Sequence, residues 1–180
     1  MKRIVIILAA IDIALLIWAF ALEIQAEAAY VNSFNGLCVR DVPGEDGTVL
    51  EVLSYGEEVS GETEAGWMRL EGREGYVNAE YLQDSDPFDD LEYLGTWKTT
   101  AYTHTGCQTA SGEWPEEGVC VAHNSLPFGT QVYIRNVGVR VVLDRGPASM
   151  GTQWCDLFLD NEVDCIEWGV REKEVYLISE

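Results

Sequence analysis

Positive charge is scarce in this chain. Its 180 residues carry 11 Lys and Arg against 31 Asp and Glu, a formal net charge of −20. A phosphate backbone needs a basic face to bind it, so this balance excludes nucleic acid as a partner. Histidine is scarcer still, with two residues, His104 and His123, and no CxxC pair occurs. Neither the spacing nor the number of soft ligands suits a structural zinc site, and no metal or other cofactor is expected. Internal repeats and low-complexity segments are missing as well, which leaves an ordinary globular architecture. What is present supports that. Apolar residues make up 47% of the chain, enough for a packed core in one domain or two small ones. Residues 30–90 are the most acidic part, with 15 acidic and 3 basic groups, a composition that reads as solubility outside the cell more than as a site for a cationic ligand.

The N-terminus is a targeting segment. Lys2 and Arg3 precede a 19-residue apolar run, IVIILAAIDIALLIWAFAL, which ends near the small residues of AEAA. Ala26 and Ala28 stand at the −3 and −1 positions of a signal-peptidase site before Ala29, so residues 1–28 read as a signal peptide. The run is also long enough to cross a bilayer as an uncleaved signal anchor, although Asp12 within it disfavours insertion. Both readings place the rest of the chain outside the cytoplasm, secreted or associated with the cell wall, and the membrane is a partner only through such an anchor.

Export makes disulfides plausible for the five cysteines, Cys38, Cys107, Cys120, Cys155 and Cys165. Short local loops favour Cys107–Cys120 and Cys155–Cys165, leaving Cys38 as a buried thiol.

Residues 30–82 read as short strands between turns, punctuated by Asn35-Gly36, Pro43-Gly44, Asp46-Gly47, Tyr55-Gly56, Ala65-Gly66 and Glu71-Gly72. About fifty residues of this kind suggest a small barrel. The segments Leu37-Cys38-Val39-Arg40, Gly66-Trp67-Met68-Arg69-Leu70 and Gly75-Tyr76-Val77-Asn78-Ala79-Glu80-Tyr81-Leu82 resemble a bacterial SH3-like domain, spanning 30–83. The resemblance implies a cell-wall docking module. Cys38 departs from it, standing where a polar residue is usual. Trp67 and Tyr76 are expected in the core. An acidic linker, 84–93, follows, with Pro87 and like charges that favour extension.

From residue 94 to 180 the pattern is again β-rich, with candidate strands GTWKTTAYT, GVCVA, TQVYIRN, VRVVLD and EVYLI. A short helix is expected over 162–169, its apolar side formed by Val163, Ile166 and Trp168 and its end set by Gly169. Three polar positions carry the chemistry. His123 opens HNSLPFGT, where Pro127 and Gly129 fix a turn; it reads equally as a site residue or a satisfied turn histidine. Asp144 ends an apolar strand before Arg145-Gly146-Pro147, either as a working carboxylate or as a turn cap. Asp156 lies in WCDLFLD, where alternation puts Asp156, Phe158 and Asp160 on one face and Cys155, Leu157 and Leu159 on the other. Framed by Trp154, Leu157 and Phe158, its carboxyl is expected to be poorly solvated. That favours the protonated form and suits protonation of a glycosidic oxygen.

The segments Thr99–Tyr102, Thr109-Ala110-Ser111-Gly112, Leu126-Pro127-Phe128-Gly129-Thr130, Asp144-Arg145-Gly146, Asp156-Leu157-Phe158-Leu159 and Trp168-Gly169-Val170 resemble the three-aspartate (3D) domain of bacterial cell-wall proteins, related to membrane-bound lytic transglycosylase A. Ala122-His123 with Leu126-Pro127-Phe128-Gly129-Thr130, and Asp144-Arg145-Gly146-Pro147, are also similar to the rare lipoprotein A family. The expected fold is therefore mainly β, an SH3-like barrel followed by a six-stranded double-psi β-barrel with one short helix. The resemblance implies a lytic transglycosylase acting on peptidoglycan glycan strands between N-acetylmuramic acid and N-acetylglucosamine. The first family implies Asp156 as the acid, the second His123 and Asp144. The first aspartate of the three-aspartate pattern is missing, replaced by the segment Ala122-His123-Asn124-Ser125. Non-catalytic wall binding of the expansin type, and simple glycan hydrolysis, are the competing readings.

Overall fold

Period-two alternation shapes nearly everything in the computed structural model, which describes residues 27–178. The chain is mainly β: a seven-stranded sheet, then a closed six-stranded barrel, with a single short helix among the described residues. The expected signal peptide or anchor lies almost entirely outside the described residues. Within them no helix is long and apolar enough to cross a membrane.

The sheet contains β1 (Glu27–Val31), β2 (Leu37–Arg40), β3 (Val49–Leu53), β4 (Glu58–Glu64), β5 (Trp67–Leu70), β6 (Tyr76–Asn78) and β7 (Leu82–Gln83). They lie in the order β3-β2-β6-β5-β4-β1-β7. β1 starts at Glu27, two residues before the expected cleavage point. The core of this sheet is Ala29, Val31, Leu37, Val39, Leu53, Val59, Met68, Leu70 and Val77. On β5, Met68 and Leu70 face inward, so Trp67 is turned out; on β6, Val77 faces inward and Tyr76 is turned out. Both aromatics are therefore half-buried, not core, and with Pro43 they line a groove of about 620 Å³. The same alternation on β2 leaves Cys38 only half-buried.

The barrel is built from β8 (Glu92–Tyr102), β9 (Cys120–Ala122), β10 (Gln131–Ile134), β11 (Gly138–Asp144), β12 (Trp154–Phe158) and β13 (Arg171–Leu177). The ring order is β10-β11-β9-β12-β8-β13, closed by antiparallel pairing of β13 with β10. The pairs β9–β11 and β8–β12 are parallel and the others antiparallel, so the barrel is mixed. Closure leaves no free edge. Trp97, Val121, Val132, Ile134, Val142, Cys155, Leu157 and Val175 fill the interior, each such burial being worth about 1.5–3 kcal/mol for the larger aliphatic side chains. Helix α1 (Glu162–Trp168) is capped by Asn161, whose side chain accepts from the Asp164 amide, and ends at Gly169 with φ 59°. Trp168 packs against the barrel core, whereas Val163 and Ile166 stay exposed. The expected apolar side is thus only partly used: Trp168 alone of the three packs against the barrel core.

The segment 84–93 is folded, where an extended linker was expected. Asp86 accepts from the Phe88 amide and caps a 3₁₀ turn, Pro87–Asp90. Phe88 is buried in an aromatic cluster, with ring centroids 5.2 Å from Tyr55, 5.7 Å from Tyr133 and 4.7 Å from Tyr176. Gly56, at φ +75°, lies directly under that ring, where a Cβ would come within 2.2 Å of it. Burial of one aromatic side chain outweighs like-charge repulsion between solvated carboxylates.

All five thiols are free, so neither expected disulfide forms. Cys155 alternates into the barrel interior while Cys165 sits on α1 outside it. Cys120 is fully buried and Cys107 lies exposed in a loop. Sequence proximity did not bring either pair to bonding geometry.

Candidate active site

Three strands place the two aspartates. Ala122 of β9 is in register with Asp144 of β11 on one side and with Asp156 of β12 on the other. Asp156 is in turn in register with Thr100 of β8. Residues in register share a face, so Asp144, Ala122, Asp156 and Thr100 form one row across four strands. Val121, Cys155 and Leu157, which alternate with this row, point into the barrel, so the row faces away from the interior, with Ala122 buried and the other three half-buried. Two strand spacings put the aspartate backbones about 10 Å apart, with only a methyl group between them.

Asp156 sits in a graded set of contacts. The Thr100 hydroxyl donates to its Oδ1 at 2.6 Å, and the Trp154 indole N–H donates to Thr100 Oγ1 at 2.8 Å. Lys98 Nζ lies 3.3 Å from the centre of the Trp154 ring. Burial pushes the Asp156 carboxyl above the ordinary carboxylate range; the Asp144 charge adds to this, while the Thr100 hydrogen bond and Lys98 oppose it.

Asp144 is surrounded by donors. Its Oδ2 accepts from the Tyr102 phenol at 2.9 Å, and its Oδ1 from the amides of Ala110 at 2.9 Å and Arg145 at 2.8 Å. Ala110 belongs to the loop 103–119, whose Ser111 amide also donates to the Leu143 carbonyl. The loop is thereby folded onto the end of β11. Burial and the neighbours Cys120 and Asp144 raise the Tyr102 phenol, which keeps it a donor.

His123 has a different place. It is 2% exposed and stacks on Trp97 with centroids 4.6 Å apart. Its Nε2 bonds the Thr152 carbonyl at 3.0 Å, and its Nδ1 accepts from the Leu126 amide at 3.0 Å. This fixes the neutral tautomer with hydrogen on Nε2, and burial lowers the pKa in the same direction. No ring nitrogen is left for a substrate. Of the two readings the sequence offered for His123, this bonding pattern matches the satisfied turn histidine.

That role extends through its neighbours. Arg145 Nη1 donates to the His123 carbonyl at 2.6 Å, and Asn124 Oδ1 accepts from the Gly146 amide at 3.0 Å. A Cβ on Gly146 would lie 2.2 Å from the end of the Met150 side chain, which would have to swing aside to admit it. The AHN and DRGP segments interlock, and together they fix where β11 ends and hence where Asp144 stands.

Four side chains at the site were missed or left unassigned by sequence reasoning: Thr100, Tyr102, Trp154 and Lys98. Alternation puts Lys98, Thr100 and Tyr102 on one face of β8, a usable signal, but which strand they would face was not legible. His104 lies 3.6 Å from Asp160 and edge-on to Phe158, further along the same face. Both members of that pair are exposed. Among the described residues no group of three or more His, Cys, Asp or Glu could hold a metal ion. Neither a protein-family model nor a curated protein matches the chain.

Proposed function

We propose that this chain is an exported peptidoglycan-cleaving enzyme, a lytic transglycosylase that cuts MurNAc–GlcNAc glycan strands. In this reading the barrel is a double-psi barrel of the three-aspartate and rare lipoprotein A kind, and the N-terminal sheet is an SH3-like module that docks on the wall. One observation carries the proposal. Asp156 is a desolvated, outward-facing carboxyl held above its ordinary range, in a row with a second aspartate whose oxygens are all bound by donors.

Such a pair divides the work. Asp156 gives its proton to the glycosidic oxygen as the bond to C1 of the muramic acid breaks. The resulting carboxylate takes the proton of the C6 hydroxyl, and the C6 oxygen closes on C1 as a 1,6-anhydro bridge. The nucleophile is intramolecular, so no second carboxylate at the spacing of an inverting pair is needed. Asp144, fixed by Tyr102 and two amides, supplies negative charge beside the oxocarbenium-like sugar. His123 holds the strand end and takes no proton.

The test is product analysis. Purified protein incubated with peptidoglycan is expected to release fragments one water lighter than reducing-end muropeptides, and Asp156→Ala is expected to release none. Reducing ends would instead indicate a hydrolase. Sedimentation with the wall and no release would indicate a non-catalytic binding protein.

A further inference from the structure

We infer that Trp154 is a positioning residue for Asp156, acting through Thr100: its indole N–H fills the acceptor side of the Thr100 hydroxyl, commits the hydroxyl proton to Asp156 Oδ1, and leaves Oδ2 as the oxygen that carries the exchangeable proton. The inference rests on the reading of Asp156 given above as the proton donor.

The direction of the chain follows from donor and acceptor counts. An indole N–H can only donate, so at 2.8 Å Thr100 Oγ1 must accept from it. The hydroxyl has one hydrogen, and among the described residues its one acceptor is Asp156 Oδ1 at 2.6 Å. Were Asp156 to place its proton on Oδ1, the hydroxyl hydrogen would lose that acceptor. Oδ2 makes no hydrogen bond among the described residues, so the proton belongs there. Parallel register explains the reach: Trp154 is level with Lys98 and Asp156 with Thr100, so the indole spans one diagonal step. Lys98 over the ring face holds the indole plane, a cation–π contact at 3.3 Å.

The charged and titratable groups around Asp156 are Lys98 and Tyr102 on β8, Asp144 at the end of β11, Cys155 beside it on β12, and Cys165 on α1. None of these is altered by the substitutions that test the chain. The alternative for an accessible tryptophan beside a glycan site is stacking on a sugar ring, which acts on KM and leaves the carboxyl alone.

The experiment is a ¹³C carboxyl NMR titration of the intact protein, with Asp156→Asn identifying the resonance, joined to kcat and KM as functions of pH. Thr100→Val removes the donor and is expected to raise the Asp156 midpoint by about one pH unit, tenfold in proton affinity. Trp154→Phe keeps a ring under Lys98 but frees the hydroxyl, and its midpoint is expected to rise in the same direction by less. Thr100→Ser keeps the hydroxyl and should titrate like the unsubstituted protein. The alkaline limb of kcat should move up with the midpoint, at unchanged KM. A Trp154→Phe midpoint that stays in place overturns the inference, as does a change confined to KM. If the midpoints move but the protein releases no anhydro fragments, Trp154 still positions Asp156 and the transglycosylase reading falls.

Discussion

Asp156 and Asp144 share one row on the outward face of the barrel strands, yet their surroundings differ. Asp144 meets three donors, whereas Asp156 meets one and is otherwise desolvated. A carboxyl raised above its unfolded value costs stability wherever the unfolded chain would be ionised and the folded one resists it. That penalty is absent below the unfolded value of about 3.8 and grows as pH rises toward the folded value. Asp156→Asn is therefore expected to raise the melting temperature at pH 7, with the gain vanishing below about pH 3.8 in a series of thermal melts. The same substitution should cost about 10²–10⁴-fold in fragment release. His123 carries the opposite sign. Its pKa is depressed in the folded state, so its contribution to stability is complete above the unfolded value near 6.5 and is lost as pH falls toward the folded value. Denaturant titrations of the unsubstituted protein should show stability declining below pH 6.5. In His123→Gln that slope should disappear, stability should drop by about 1–3 kcal/mol at pH 7, and the folded fraction should still cleave substrate. Loss of cleavage in fully folded His123→Gln would return the histidine to the reaction.

The strands and turns were mostly legible one element at a time. WCDLFLD alternates, and the structure places Cys155 and Leu157 inside and Asp156 outside, as the periodicity alone dictates. The helix over 162–168 was legible from its apolar spacing and terminal glycine, while its asparagine cap appears only in the structure. The acidic segment 84–93 was not legible, because like charges and a proline suggest extension and a single phenylalanine decides otherwise. Phe88→Ala is expected to destabilise the protein by about 3–5 kcal/mol and to expose 84–93 to a protease that cuts after acidic residues. Limited proteolysis of the folded variant checks this; persistence of the intact chain would mean that the segment is held by other contacts. Gly56→Ala should act in the same direction, since its methyl group would occupy the space of the Phe88 ring.

Across the whole molecule, the aromatic cluster of Phe34, Tyr55, Phe88, Tyr133 and Tyr176 joins residues of the sheet to residues of the barrel. A sheet and a barrel that share such a cluster are held at a fixed relative angle. The cysteines are distributed without regard to pairing. Alkylation in denaturant, without reductant, is expected to add five labels by mass, and brief alkylation of the native protein to label Cys107 first. Cys155, buried and with its thiol pushed up to about 12, should react only on unfolding. A mass showing one label or three would establish disulfides.

Composition, alternation and turn residues by themselves determined an acidic, mainly β chain, its breakpoints and the inward or outward sense of most strand residues. Those properties depend on neighbours within a few positions, so they are written locally. The tertiary structure alone decided which strands touch. The parallel pairing of β12 with β8, and the insertion of β9 between β11 and β12, bring Thr100, Ala122, Asp144 and Asp156 into one row from positions up to 56 residues apart. Register over such separations is set by barrel closure and packing, not by any local pattern. For the same reason His123, half of a conspicuous motif, is a buried brace, while Trp154 and Thr100, to which sequence reasoning assigned no role, stand against Asp156.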